Sequence, residues 1–177
     1  MIIEIDINKI RKLAKNKEDE NYEFCSFLKG CDLEEIDIIV QRLYRSISSK
    51  IDCKICGNCC KKVSPVLNIK DVRRLTNGLK ISIDTFKNKY LMERENNEGI
   101  TFNKKPCPFL NNNICSQYEY RPKDCRSYPH LHKKYFVSRL INVIDNASVC
   151  PIVFNVYEAL KEEVWNNPEF DDLSDFV

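Results

Sequence analysis

Apolar residues recur at helical spacing in two long segments of the chain. The first segment, Asp32–Ser48, carries Leu33, Ile36, Ile39, Val40, Leu43, Tyr44 and Ile47 on one face. Asp32 and Glu35 have the spacing of a capping box, so the pattern predicts an amphipathic helix that begins after Asp32. The second segment predicts a helix over Cys150–Asn166, with Ile152, Val153, Val156, Tyr157, Leu160 and Val164 on one face.

Shorter elements are predicted from alternation, caps and turns. Alternating residues predict a strand over Ile3–Ile7, and a helix is expected from Asn8 before a charged connector by Asn21. Asn68 and Ser82 are candidate helix caps, and Gly78 suits the left-handed end of the helix that Asn68 begins. Further expected elements are a ligand loop over Asp52–Lys62, a strand over Gly99–Asn103, a hairpin within Pro106–Tyr118, a short helix from Pro122 and a strand over Tyr135–Ile144.

These elements predict an α+β fold: a small, loop-rich cysteine and metal core that is braced by amphipathic helices, with few short strands. With 177 residues and 43% hydrophobic content the chain is long enough to bury a core of its own. We expect residues 1–50 to form an N-terminal helical leader that packs on the core. Residues 51–177 are expected to form the cysteine-cluster metal-binding domain, including the C-terminal helix.

Charge and hydropathy exclude several partners. The 28 Lys and Arg residues nearly balance the 26 Asp and Glu residues, which argues against a general nucleic-acid binder. No apolar stretch approaches the roughly 20 residues that span a bilayer, so no membrane partner is expected. The N-terminal sequence MIIEIDINKI lacks the pattern of a secretory signal. A cytoplasmic protein is therefore expected.

Ten cysteines are the unusual feature of the composition. Eight of them are clustered in the sequence: Cys53, Cys56, Cys59, Cys60, Cys107, Cys115, Cys125 and Cys150. The first three have x2, x2 spacing in a loop rich in Gly and Asn, and Cys107 and Cys150 are each followed by Pro. The same x2, x2 run with a later Cys-Pro holds [4Fe–4S] clusters in bacterial ferredoxins. We therefore predict that these eight thiols bind a metal group, which is either an iron–sulfur cluster or zinc.

The vicinal pair Cys59-Cys60 bears on the number of metal centres. In extended backbone, neighbouring side chains diverge to opposite faces, so such a pair serves two sites more readily than one. One centre would use Cys53, Cys56, Cys59 and one Cys-Pro cysteine. The other would use Cys60, Cys115, Cys125 and the remaining Cys-Pro cysteine. The sequence leaves open which of Cys107 and Cys150 belongs to which centre.

The same cysteines have alternative interpretations. Disulfides are disfavoured without a secretion signal, whereas a structural zinc site with four cysteine ligands remains open. Cys25 and Cys31 lie outside the dense region and are expected to be buried or free thiols and not ligands. The spacing differs from the CxxxCxxC of radical S-adenosylmethionine sites. Neither a GxGxxG after a strand nor a GxxxxGK[ST] motif is present.

The chain resembles the cysteine-cluster (YkgJ-like, CxxCxxCC) family. The resemblance rests on Cys53-Lys-Ile-Cys56-Gly-Asn-Cys59-Cys60, Pro106-Cys107-Pro108-Phe109-Leu110, Cys115 with Tyr118, Arg121-Pro122-Lys-Asp-Cys125-Arg126-Ser-Tyr128-Pro129 and Cys150-Pro151. It implies a domain that chelates zinc or iron. A related pattern occurs in flagellin lysine N-methylases, which are thought to use an iron–sulfur cluster. Residues 1–50 resemble no family that we can name.

Polar and aromatic residues of the motif have roles that follow from their chemistry. Arg121 and Arg126 flank Cys125 and would offset the negative charge of thiolate ligands around a bound cluster, or else pair with acidic groups such as Asp124. Tyr118 and Tyr128 are expected to be core aromatics. His130 and His132 follow Pro129 in a basic turn and are expected to be ordinary surface histidines.

Two functional hypotheses follow. The first is an iron–sulfur protein with a redox or protein-modifying role, whose partners are metal ions and a protein substrate or redox partner. The alternative is a non-enzymatic zinc- or iron-binding module with a structural or metal-handling role. No catalytic acid or base is identified, so the sequence leaves open whether the protein is an enzyme.

Overall fold

A computed structural model describes residues 2–94 and 99–165 and shows an α+β fold, as predicted. In chain order the elements are α1 (Ile7–Asn16), α2 (Glu18–Leu28), α3 (Leu33–Ser48), α4 (Cys53–Cys56), α5 (Asn58–Lys62), α6 (Ile69–Leu79), α7 (Ile83–Tyr90), β1 (Leu91–Glu93), β2 (Ile100–Phe102), β3 (Leu110–Asn111), β4 (Ile114–Cys115), a 3₁₀ turn (Tyr118–Tyr120), α8 (Lys123–Ser127), a second 3₁₀ turn (Val137–Arg139), α9 (Leu140–Ala147), α10 (Pro151–Leu160) and a π-helical turn (Lys161–Trp165). Within these residues, no helix has both the length and the apolar character needed to cross a membrane.

The chain forms two compact units. The described residues of 2–52 and 129–165 form one, here called the helical unit, and the described residues of 53–128 form the other, the cysteine unit. The boundary after residue 52 lies close to the predicted one after residue 50. Residues 129–165, however, pack with the N-terminal region. The division into a leader, residues 1–50, and a metal-binding domain, residues 51–177, therefore stays a prediction, and the contacts group the chain differently.

The helical unit is built around α10. This helix packs against α3, α9 and α1, and nearly all of its side chains are buried because helices cover it on several sides. Helix α3 buries five of the seven residues predicted for its apolar face: Ile36, Ile39, Val40, Leu43 and Ile47. The other two differ from the prediction, because Leu33 is 52% exposed and Tyr44 is half-buried. Asp32 caps α3 by accepting hydrogen bonds from the backbone N–H groups of Glu34 and Glu35, at 2.9 and 2.8 Å. The last residue of the predicted closing helix, Asn166, lies outside the described residues.

Two predictions for the N-terminal region are wrong. The expected strand over Ile3–Ile7 is absent from the described residues 2–6, and α1 begins at Ile7. Asp6 decides this, because its carboxylate accepts hydrogen bonds from the N–H groups of Asn8 and Lys9 and so starts a helix. The charged connector expected by Asn21 is instead part of α2, which buries Phe24, Cys25 and Leu28.

The strand expected over Tyr135–Ile144 is also wrong, because this segment is a 3₁₀ turn followed by α9. The side chain of Asp37 accepts hydrogen bonds from the N–H groups of Tyr135 and Phe136, at 2.7 and 2.8 Å. Leu140 and Val143 then have helical spacing and are buried in α9. A distant carboxylate therefore sets the local structure of a segment whose residue types favour a strand.

The cysteine unit has its own apolar cluster beside the thiols. Its buried residues are Leu67, Val72, Leu75, Phe86, Phe102 and Phe109, and Cys107 and Cys115 pack against it. Strands β1 and β2 pair antiparallel, with Leu91 opposite Phe102. Strands β3 and β4 form the predicted hairpin, with Asn112 and Asn113 at positive φ in the turn. This cluster supports two of the cysteines from behind.

Caps in the cysteine unit follow the sequence closely, with one exception. Asn68 and Asp71 form a capping box at the start of α6, and Ser82 caps α7. The prediction that Gly78 is left-handed is wrong, because α6 continues to Leu79 and Lys80 has the left-handed φ of 54°. A Cβ at Gly78 would lie 2.4 Å from Cδ2 of Tyr120. A glycine is therefore required at position 78 because the Tyr120 ring packs closely against it, and not because the backbone turns there.

A buried lysine ties α2 to the C-terminal helix of the helical unit. Lys161 is only 6% exposed, and its Nζ donates to Glu20 Oε1 at 2.7 Å, Asn21 Oδ1 at 2.6 Å and Glu158 Oε1 at 2.9 Å. Hydrogen bonding to Lys161 lowers the pKa of Glu20. Because the ammonium is buried with all three bonds satisfied, its removal leaves polar acceptors without their donor.

We expect Lys161→Met to lower the free energy of unfolding by about 2 kcal/mol or more, because acceptors in a buried network lose their charged donor. Urea unfolding followed by circular dichroism measures the change. Lys12→Met, at an exposed position of α1, is the matched control and should stay within about 0.5 kcal/mol of the parent protein. Equal stabilities of the two variants would contradict the role given to Lys161.

The same network predicts a pH dependence. The pKa of Glu20 is lowered in the folded protein, so the stability that it contributes is present above its ordinary pKa of 4.5 and is lost as the pH falls through the lowered value. Unfolding measured across this acid range should show a smaller loss of stability in Lys161→Met than in the parent protein. A parallel loss in both proteins would rule out the coupling.

Candidate metal centre

A cavity of about 490 Å³ lies within the cysteine unit. Six of the eight predicted ligands line it: Cys53, Cys59, Cys60, Cys107, Cys115 and Cys125. Both predicted arginines, Arg121 and Arg126, and both motif tyrosines, Tyr118 and Tyr128, line it as well. Cysteines from four separate stretches of the chain therefore line one space.

The two other predicted ligands do not line this cavity. Cys56 is half-buried at the end of α4, and Cys150 is buried in the helical unit, where it precedes α10 as its N-cap residue. His130 and His132 also belong to the helical unit. Cys25 and Cys31 are buried in the helical unit, as predicted, and none of the ten cysteines, all in described residues, forms a disulfide.

The CxxCxxCC segment is helical, so the predicted irregular loop over Asp52–Lys62 is wrong. Helices α4 and α5 meet at Gly57, which has a left-handed φ of 56°. A Cβ there would lie 2.7 Å from the backbone oxygen of Asn113 in the β3–β4 turn. Gly57 therefore permits both the change of helix direction and the close approach of the hairpin.

Helical backbone changes the geometry of the vicinal pair. Cys59 and Cys60 are consecutive residues of α5, and both line the cavity, so they do not diverge to opposite faces as extended backbone would require. The backbone also connects this pair to a Cys-Pro cysteine, since the N–H of Cys107 donates to the carbonyl of Cys60 at 2.8 Å. The assignment of these thiols to two centres stays a prediction.

Four of the thiols share one electrostatic environment. Cys60, Cys107, Cys115 and Cys125 line the same cavity, and the first three add to the effect of burial in raising the pKa of Cys125. Burial is the main cause that raises the pKa of Cys107 to about 11 and that of Cys125 to about 12. Burial also raises the pKa of Cys115. Metal binding at these thiols must therefore release protons.

Cys60 differs from its neighbours. A hydrogen bond from Cys59 lowers the pKa of Cys60 to about 7, and the charges of Arg121 and Lys61 act in the same direction against the effect of burial. Positive charge at the cavity therefore favours the thiolate form that metals require.

Tyr118 organises the cations at the cavity and is not simply a core aromatic. The guanidinium of Arg121 lies 3.3 Å from the centre of the Tyr118 ring, and its Nε donates to the Tyr118 carbonyl at 2.7 Å. The ammonium of Lys54 lies 5.0 Å from the centre of the same ring. The charge of Arg121 lowers the pKa of Cys60 and opposes the rise at Cys115. Sequence reasoning named both Arg121 and Tyr118 but missed the contact by which the ring orients the guanidinium.

Asp71 positions the segment that carries Cys125. Its carboxylate is 1% exposed and accepts hydrogen bonds from the N–H of Lys123 at 2.8 Å and from that of Asn68 at 3.2 Å. Arg74, 3.7 Å from the same carboxylate, donates to the carbonyl of Arg121 at 3.0 Å. Helix α6 thus holds the start of α8 in place. The capping-box spacing of Asn68 and Asp71 was the available signal for this residue.

The cysteine side chains are of the type that a thiolate metal centre needs, but they are not arranged to coordinate an ion. Among residues 2–94 and 99–165, no three Cys, His, Asp or Glu side chains converge closely enough to hold an ion as they stand. Thiolates are the ligands that zinc and iron–sulfur clusters use, and six thiols line one cavity. A change of rotamer about the Cα–Cβ bond moves a sulfur between staggered positions. Coordination therefore requires several of these sulfurs to turn toward a common point.

The sequence of the whole cysteine segment decides the family. Residues 52–151, more than half of the chain, match the model of the CxxCxxCC family, which is described as a zinc- or iron-chelating domain. The chain belongs to the CxxCxxCC family. The family description supports zinc or iron chelation in general and does not say which of the two metals is bound. No curated protein and no solved structure gives a significant match to the chain.

Asp71→Asn should loosen α8 of this CxxCxxCC domain, because an amide presents N–H groups where the carboxylate accepts them. We expect a local loss of about 1–3 kcal/mol, the cost of an unsatisfied buried donor. Hydrogen exchange of peptides that contain the Lys123 amide measures it. Asp84→Asn, at an exposed position of α7, is the control and should leave this exchange unchanged. Similar exchange in both variants would refute the positioning role.

Gly57→Ala should destabilise the cysteine unit by about 1 kcal/mol or more, from its left-handed φ alone, and the contact with Asn113 adds to this cost. We also expect a lower metal content per chain. Elemental analysis measures the metal content, and urea unfolding measures the stability. Gly30→Ala has no positive φ and meets only the Phe27 carbonyl at 3.4 Å, so it serves as the control. If Gly57→Ala matched Gly30→Ala in both measurements, the geometric argument would fail.

Proposed function

We propose that the cavity of the cysteine unit holds a [4Fe–4S] cluster and that the protein uses it in a redox or protein-modifying role. The observation that carries this proposal is a space of about 490 Å³ that six thiols line. A structural zinc site is closed around one ion and needs no such space. The cavity is large enough for a cluster and for a small group beside it.

The proposed ligands are the eight motif cysteines. Cys60, Cys107, Cys115 and Cys125 all line the cavity and affect one another electrostatically, which supports one four-cysteine set and would assign Cys107 to it. Of the other motif cysteines, Cys53, Cys56 and Cys59 belong to the same unit and would then be candidates for a second centre. Thiolate ligands persist in a reducing compartment, so we assign the protein to the cytoplasm as part of the same proposal.

Arg121 and Arg126 would stabilise the bound cluster through their positive charge, without coordinating it. Buried thiolates carry a negative charge that is costly to desolvate, and both arginines line the cavity. Hydrogen bonds and positive charge near ligand sulfurs raise the reduction potential of a cluster. The cluster would supply electron transfer or an iron site for substrate, and the role of the chain's own residues is to hold, charge-balance and shield it.

A zinc module is the second candidate. Cys60, Cys107, Cys115 and Cys125 number four, which is the ligand count of structural zinc sites. In that case the protein would act as a non-enzymatic structural or metal-handling module.

Metal analysis separates the two candidates. Purification without oxygen should give brown protein with about four iron and four acid-labile sulfide per cluster, measured beside zinc in the same sample. Colourless protein with stoichiometric zinc would overturn the cluster and support the second candidate. Spectra before and after addition of dithionite would show whether the bound group accepts electrons.

Cysteine variants test the ligand set. Cys115→Ser should lose metal from the four-cysteine set, whereas Cys31→Ser, a buried residue of the helical unit, should keep the metal content of the parent protein. Cys56→Ser should lose part of the metal if two centres exist and all of it if one centre assembles cooperatively. Full metal content in Cys115→Ser would remove this residue from the ligands.

A further inference from the structure

The two units of the chain carry opposite charge. Between residues 53 and 128 there are 15 Lys and Arg against 7 Asp and Glu, a net charge of +8. The rest of the chain has 13 basic and 19 acidic residues, a net charge of −6. The balanced total of the chain therefore hides a strongly basic cysteine unit. A surface with this excess attracts acidic partners and increases their rate of association.

Exposed cations lie on the elements that form the cavity. Lys54 and Arg126 both line it and are exposed, and the exposed Lys62 ends α5, the helix that carries Cys59 and Cys60. The carboxylate of Asp124, which also lines the cavity, accepts a hydrogen bond from the N–H of Val66 at 3.1 Å. Among the residues that line the cavity, the three cations Lys54, Arg121 and Arg126 thus outnumber the single carboxylate of Asp124.

Two large aliphatic side chains accompany these cations. Ile55 is 74% exposed and Ile114 is 61% exposed, on α4 and β4, which pack against each other. Ile114 lines the cavity, and Ile55 follows Lys54, which also lines it. Exposed isoleucines beside cations form the apolar centre and charged edge that protein interfaces combine. We call Lys54, Ile55, Lys62, Ile114 and Arg126 the rim.

We propose that the rim is the docking surface for an acidic protein, whose segment binds over the cavity with an apolar side chain between Ile55 and Ile114. The inference rests on the proposed function, since docking here would bring a redox partner or protein substrate to the metal centre. Charge complementarity identifies the partner as acidic, and the isoleucines favour a protein over a nucleic acid. Single-stranded nucleic acid binds by stacking on open aromatic faces, whereas Arg121 and Lys54 lie over the Tyr118 ring.

Selection from a random peptide library tests the proposal, because such a library offers acidic, basic and neutral peptides to the rim alike. Metal-loaded full-length protein is immobilised, and 12-residue peptides displayed on phage are selected at low salt. The expected result is enrichment of peptides that combine several Asp or Glu residues with a large apolar residue. A synthetic peptide of the selected sequence should bind the parent protein and weaken at least tenfold as salt rises from about 50 to about 500 mM.

Rim variants locate the binding. Ile55→Glu and Lys62→Glu should each weaken the peptide at least tenfold, whereas Ile38→Glu, a 68% exposed position of the helical unit, should not. Elemental analysis of every variant keeps the two proposals apart, because rim substitutions should leave metal content unchanged. Selected peptides without acidic enrichment, or equal binding by the rim and control variants, would overturn the docking surface. Tighter binding of a fluorescent single-stranded oligonucleotide than of the peptide, lost in Lys62→Glu, would overturn it in favour of a nucleic acid.

Discussion

The buried carboxylate of Asp71 joins two parts of the cysteine unit that have different chemistry. One part is the apolar cluster to which α6 contributes Val72 and Leu75, and the other is the segment that carries Cys125. A buried charge is tolerated only where it is hydrogen-bonded or paired, and Asp71 meets this condition through Asn68, Lys123 and Arg74. The position of the thiol segment therefore depends on the rigidity of a helix that contributes no ligand.

Local signals predicted those elements whose ends are fixed by their own side chains. Asp32, Asn68 and Ser82 cap helices where the sequence placed caps, and Asn112 and Asn113 form the expected turn. Predictions failed where a distant group decides. Tyr135–Ile144 has the composition of a strand, but hydrogen bonds to Asp37 start a helical segment there, and propensity is weak against such an interaction.

The candidate site was predictable in its residue types but not in its arrangement. Spacing and chemistry marked the cysteines, and six of the eight line one cavity, because thiols on short helices and a hairpin are brought together by packing that the motif does not encode. The same packing leaves Cys56 outside the cavity and Cys150 in the other unit. The roles of Asp71 and of the Asn113 carbonyl were not predicted. A buried carboxylate that positions a segment, or a backbone contact, is not marked in the sequence by residue type as a cysteine ligand is.

The notation CxxCxxCC treats its two gaps as equivalent, and the environment of Gly57 shows that they are not. Lys54 and Ile55 of the first gap are exposed, whereas Gly57 and Asn58 of the second are buried, with the backbone of Asn113 against Gly57. Mutational drift in the first gap would alter what the surface recognises and leave the domain folded. Substitutions in the second gap would destabilise the domain itself. One motif therefore contains an exposed gap that tolerates substitution and a buried gap that the fold constrains.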